Sequence, residues 1–222
     1  VTLPALSVLY EDNHLLAVNK PAGLLTQDYG SSRDSMEELA RQWVRISKKK
    51  LGNVFLHTVG RLDGAVSGIV LFARTGKALS RLNAAVRERK ILKVYHAVVA
   101  GAPERASGIL KHHLRHGSHR AKIEKPGTEG AKEATLEYRL VKESGGVSLL
   151  EVRLHTGRYH QIRVQLATAG TPILGDRRYG GPPGGLPRDA IALHHVLMEL
   201  EHPVRRESVR IEAPYPPHWP RI

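Results

Sequence analysis

Apolar and polar residues alternate along much of this chain, and helical spacing appears in only a few stretches. "LSVLYEDNHLLAVNKPAGL" reads as strand, turn, strand: residues 7–10 are apolar, Glu11-Asp12-Asn13 carries turn chemistry, and residues 15–18 resume the strand. Lys20-Pro21-Ala22-Gly23 then stops it. Ser35 caps a helix through "SMEELARQWVRISKKK", with Glu38 at the capping-box position and lysines at the end that suit the helix dipole. "FLHTVGRLDGAVSGIVLFART", residues 55–75, places a turn between two strands. "TGKALSRLNAAVRERKIL" is a second helix, with Leu79, Leu82, Ala85 and Val86 on one stripe. "KVYHAVVAG" alternates as a strand, and residues 101–133 read as a long loop. "EATLEYRLVKE" and "VSLLEVRLHT" are strands joined by a hairpin across Ser144-Gly145-Gly146. "RYHQIRVQLATAG" is a third helix closed by Gly170. "ALHHVLMELEHP" and "RESVRIEAP" form a last strand pair before the proline-rich tail "PYPPHWPRI".

Strands outnumber helices and are joined mostly by hairpins. The pattern predicts a mixed α/β (α+β) fold on a largely antiparallel sheet, not a doubly wound parallel one. No repeat and no Gly/Ser-rich linker divides the 222 residues, so a single domain over 1–222 is expected. A 41% apolar content supports a core, and with aromatics at 5% that core rests on Leu, Val, Ile and Ala.

Charge changes the picture. A formal net charge of +13 repels itself unless a polyanion neutralises it, and nucleic acid is the commonest such partner. An anionic membrane is the alternative, but no apolar run spans a bilayer and no basic amphipathic helix carries bulky aromatics. The absence of cysteine excludes disulfides and thiolate zinc sites and fits a cytoplasmic location. The start, "VTLPALSVLYEDNH", lacks the basic and long apolar regions of a signal peptide.

Asp63 stands beside Arg61, between Gly60 and Gly64, where two strands meet. It is either a functional carboxylate or a turn residue held by local backbone bonds. In "LHTGRYHQIRVQLATAG", Arg158, His160, Gln161 and Arg163 gather in the first turns of the third helix, where acids are usual because the dipole end is positive. Arg163 sits between Ile162 and Val164, and a partly buried arginine wants a carboxylate. Asp63 would serve; a phosphate-facing or solvated cation is the other reading. Tyr95 shares a strand face with Ala97 and Val99, either as a core residue or as a platform for a base.

"KHHLRHGSHRAKIEK", residues 111–125, reads as a basic flap for phosphates or as a solvated loop, with Lys111, Arg115, Arg120 and Lys122 as candidate contacts. No HExxH-like pair organises its histidines for metal, and His194 and His195 in a strand point to opposite faces. "GDRRYGG" offers Arg177 and Arg178 as phosphate contacts.

Five stretches in order resemble the RluA family of RNA pseudouridine synthases. They are "VLYEDNHLLAVNKPAGL", "GRLDGAVSGIVLFART" (usually HRLDxxTSG), "KVYHAVVAG" (K-x-Y), "HTGRYHQIRVQLATAGTPILGDRRYG" and "ALHHVLMELEHPV". The resemblance runs from Val8 to Trp219 and lacks a basic domain of the S4 type before Leu15. It implies a pseudouridine synthase fold with a central cleft and an isomerase acting on ribosomal or transfer RNA. It implies no metal or organic cofactor, and a monomer is expected. It assigns Asp63 as the essential aspartate, Arg163 as its partner, Tyr95 as the tyrosine packed on the target uracil, and Arg61 as the residue entering the RNA beside a flipped nucleotide. Lys20, Arg158, His160 and Gln161 join the flap residues as expected RNA contacts. Gly60 replaces the usual His and Val66 the usual Thr.

The reaction cuts the uridine N1–C1′ bond and rejoins the base through C5. An ionised aspartate attacks C1′, attacks C6 or abstracts a sugar proton, and a neighbouring arginine keeps it charged. The competing readings are a non-catalytic RNA-binding protein that kept the fold, and a metal-dependent hydrolase built on Asp63, Asp176 and the histidines.

Overall fold

The protein is described here by a computed structural model that covers residues 5–27 and 34–222. In chain order it forms β1 (Val8–Glu11), β2 (Leu15–Lys20), α1 (Met36–Ser47), β3 (His57–Thr58), β4 (Ser67–Ala73), α2 (Gly76–Arg87) and β5 (Leu92–Ala100). There follow β6 (Ser107–His116), β7 (Ala121–Glu124), β8 (Ala131–Ser144), β9 (Val147–Leu154), α3 (Gln161–Thr168), β10 (Leu193–Glu201) and β11 (Ser208–Glu212). The fold is mixed α+β with largely antiparallel pairing, as the hairpin-rich pattern predicts. The chain divides into two compact units, one running to Ile91 and including His195–Tyr215, the other holding Leu92–His194 and Pro216–Ile222.

In the first unit β2 lies between β1 and β4, in register from Leu15 opposite Ala73 to Lys20 opposite Gly68. The turn between β1 and β2 is held by Asp12, whose Oδ1 accepts from His14 N and Leu15 N at 2.7 Å each. Its Oδ2 lies 2.8 Å from Nε2 of the buried His202. The core joins Leu15, Ala17, Ile69 and Leu71 to Ala78 and Leu82 of α2 and to Met198, Leu200, Val209 and Ile211 of β10 and β11. Both helices of this unit start on side-chain caps: Ser35 Oγ accepts from Glu38 N at 3.3 Å and Thr75 Oγ1 from Ala78 N at 3.2 Å.

In the second unit the strand order is β5-β9-β8-β6-β7. The β8–β9 hairpin turns at Gly145-Gly146 as expected. The loop expected over residues 101–133 is instead mostly strand, holding β6, β7 and the first residues of β8. The inward row of β6 is Gly108, Leu110, His112 and Leu114, and the outward row contains Ile109 beside Lys111 and Arg115. A glycine and a histidine inside and an isoleucine outside erase the apolar–polar alternation that marks a strand. The third helix also starts later than its pattern suggests, at Gln161, because His160 adopts a left-handed conformation (φ 54°).

Gly68 marks a close backbone approach in the first unit. Its φ is 113°, and a Cβ there would lie 2.4 Å from His195 O and 2.5 Å from His195 N. Gly68→Ala should therefore combine backbone strain with a clash that only separation of β4 from β10 relieves. A loss of about 2–5 kcal/mol of stability is expected in urea denaturation.

Candidate active site

The Asp63 loop is clamped by the segment that follows β2. Thr26 Oγ1 donates to Leu62 O at 2.7 Å and accepts from Leu62 N at 3.1 Å. Gly23 N donates to Gly64 O at 2.8 Å, and Val66 N to Asp63 O at 3.0 Å, closing a turn on the aspartate itself. Thus the residues on either side of Asp63 are held by backbone and hydroxyl groups of one connector. The Asp63 side chain is left half-buried and Arg61 exposed.

Lys20 anchors the same connector. Its side chain is 0% exposed, and Nζ donates to Pro21 O at 2.8 Å, Leu24 O at 2.7 Å and Gly64 O at 3.1 Å. Each ammonium hydrogen thus has a carbonyl. Burial pulls the Lys20 pKa down to about 7, while the charge of Asp63 opposes the shift. The expectation that Lys20 touches RNA is corrected: its amine is enclosed and serves the Asp63 loop from inside.

Arg163 lies in the second unit, on α3, at 6% exposure. Its Nε donates to Asp176 Oδ2 at 2.7 Å and its Nη2 to Asp176 Oδ1 at 2.9 Å, a bidentate pair with Asp176 at 1% exposure. Its guanidinium carbon lies 5.3 Å from the centre of the Tyr179 ring. From the sequence Asp176 is expected only as a metal ligand of the hydrolase alternative. The spacing of 13 residues and the glycines around the aspartate hid its role. With both carboxylate oxygens on Arg163, Asp176 is not placed for the metal-hydrolase reading. Among the described residues no cluster of three or more His, Asp or Glu is arranged to hold a metal ion.

Tyr95 lies on β5 opposite Val152 and is buried. Lys93, two residues earlier on the same face, has its pKa lowered by burial, which its place in the sequence does not signal. Arg158 and His160 precede α3 rather than occupying its first turn. Arg158 is exposed and donates from Nε to Glu133 O at 2.9 Å. His160 and Gln161 are buried, so neither presents an open surface to a phosphate as expected. Gln161 Oε1 accepts from Thr156 Oγ1 at 2.8 Å and Arg158 N at 3.0 Å, holding the turn before the helix.

Lys111, Arg115, Arg120, Lys122, Arg177 and Arg178 are all exposed. The strand pairing sets Lys111, Arg115 and Lys122 on one face, tempered by Glu124, which pairs with Arg115 at 2.7 Å, and by Glu133 opposite His113. Arg178 Nη1 donates to His119 O at 2.6 Å. Gly60 has φ 88° with no atom within 4 Å of a Cβ, so restoring the usual His there would also strain the backbone.

Residues 14–168 match the family described as RNA pseudouridylate synthase. The chain belongs to the RluA family of RNA pseudouridine synthases. It is 37% identical to the ribosomal large subunit pseudouridine synthase D of Xylella fastidiosa, over 95% of this chain and 66% of that protein. It is 33% identical to the dual-specificity RNA pseudouridine synthase RluA of Escherichia coli, over 95% and 94% respectively. The chain thus spans about two thirds of the first relative and nearly all of the second. The fold is that of the human RNA pseudouridylate synthase domain containing 4, with a TM-score of 0.79 at 21% identity over 95% of this chain and 89% of that one. The RluA-family synthases are isomerases.

The enclosed Lys20 amine makes stability depend on pH. With a folded pKa of about 7 and about 10.4 in the unfolded chain, the unfolded chain holds more protons between those values. Below pH 7 both states are protonated and Lys20 adds no slope. Above it, the Lys20 contribution raises stability with pH by up to about 1.4 kcal/mol per unit. Lys20→Met should remove that slope, which urea denaturation from pH 6 to 10 would reveal.

Proposed function

We propose that this chain converts uridine to pseudouridine in a structured RNA and that Asp63 is the carboxylate that acts on the target nucleotide. The observation that carries the assignment is the loop around Asp63. A half-buried carboxylate sits on a turn pinned through Leu62 and Gly64, with a buried lysine behind it. Such fixing is what an attack on one atom of a flipped nucleotide requires. An ordinary turn aspartate needs no such frame.

In the isomerisation the N1–C1′ bond breaks and a C5–C1′ bond forms. C5 gives up a proton and N1 carries one in the product, so nothing is added or lost. Family resemblance, rather than the geometry of either unit, assigns Arg163 to the Asp63 carboxylate and Tyr95 to the uracil. Arg61, exposed beside Asp63, is suited to fill the space of a flipped base, which offsets part of a cost of a few kcal/mol. The exposed cations on β6, β7 and the turn at Arg177 supply affinity for phosphates that falls steeply with salt. Residues 1–222 act as a single catalytic domain in this reading. The name of the Xylella relative makes large-subunit ribosomal RNA the first substrate to test, and the family resemblance adds transfer RNA as the second.

Purified protein should form pseudouridine in such transcripts, and Asp63→Asn should form none, as read by carbodiimide-based mapping; undiminished product in the variant would refute the assignment. Arg163→Ala would leave Asp176 buried without its partner, so Arg163→Lys is the better probe. It should slow single-turnover conversion at least about a hundredfold while RNA affinity changes little.

A further inference from the structure

We propose that Tyr179 and Asp176 are positioning residues that couple the β6–β7 hairpin to Arg163. The inference rests on the reading of Arg163 given above. Tyr179 ends a short 3-10 turn, Arg177–Tyr179, that follows Asp176. Its hydroxyl is the meeting point of two segments. It accepts from Ala121 N, the first residue of β7, at 2.7 Å, and lies 2.9 Å from Nδ1 of His160, immediately before α3. The same hydroxyl donates to Ala121 O at 3.4 Å, and the donor in its contact with His160 is set by the imidazole tautomer. Its ring meanwhile lies against the Arg163 guanidinium, whose Nε and Nη2 donate to Asp176.

The hairpin makes further contacts with the same segments. His116, at the end of β6, packs on Tyr159 with ring centres 4.1 Å apart, and Tyr159 stacks on His160 at 3.8 Å. Leu114, Ala121 and Ala134 form one small core with Val164, the neighbour of Arg163. Arg178 holds His119 O in the hairpin turn. Gln165, fully buried on α3, donates to Leu110 O at 3.0 Å and lies 2.9 Å from His112 Nδ1. The strands bearing Lys111, Arg115 and Lys122 therefore cannot shift without disturbing the groups around Arg163. RNA engaged on the hairpin face would tighten the Tyr179 contacts and hold the guanidinium in one orientation.

Tyr179→Phe keeps the ring and its volume and deletes only the hydroxyl, so it should fold. In the free protein, amide exchange at Ala121 and along β7 should quicken about tenfold, because Ala121 N–H loses its acceptor. At saturating RNA the conversion rate should fall about tenfold, with the dissociation constant for RNA changing less than about threefold. Asp176→Asn should lower the rate in the same way, and the double variant should lose less than the product of the two single losses, since both act on one arginine. Should Asp176→Asn fail to fold, Tyr179→Phe alone decides the matter. Unchanged exchange at Ala121, an unchanged rate at saturating RNA, or a loss confined to affinity would overturn the coupling. A wild-type protein inactive on every RNA would count against the function, while the exchange measurement still decides the hairpin contact.

Discussion

A guanidinium taken out of water has to be met by a carboxylate, and the second unit of this protein is arranged around that demand. Arg163 and Asp176 are both nearly inaccessible and joined by two short bonds. Either one left alone would cost several kcal/mol, so the pair commits the chain over 13 residues. Holding Asp176 in place fixes the 3-10 turn after it, and that turn delivers Tyr179 to the arginine and to β7. One buried ion pair thus organises the start of α3, the turn at Asp176 and the basic hairpin.

The first unit solves a similar problem with a lysine. Lys20 ends a buried strand, and its ammonium is answered by three carbonyls rather than by a carboxylate. The arrangement draws the connector after β2 onto the Asp63 loop. In both units a cation is enclosed, and its role is to set the position of other groups. The net charge of +13 is spread over side chains with two different duties.

Much of the chemistry was legible in the residues. The turn around Asp63, the Ser35 cap of α1, the apolar stripe of α2, the glycine hairpin and the family motifs all rest on local signals, and the structure places each element near its pattern. The hairpin over 107–124 escaped because its inward row holds His112 and Gly108, so its period of two cannot be seen in hydrophobicity. The third helix was misplaced at its start because its six buried residues include Gln161, Arg163 and Gln165, which leaves no polar face to define where the helix begins. Lys20 was misread because a lysine is enclosed so rarely that exposure is the natural assumption.

The sequence by itself determined the class of fold, the family and the residue types available for chemistry, because these follow from periodicity, capping and motif order. Only the tertiary structure decided which charged groups meet solvent and which meet one another. Arg163 with Asp176, Lys20 with the Gly64 carbonyl, and Tyr179 with Ala121 and His160 are separated by 13 to 58 residues. No local pattern encodes such pairings, since burial and the need to satisfy each buried polar group select them only when the chain has closed.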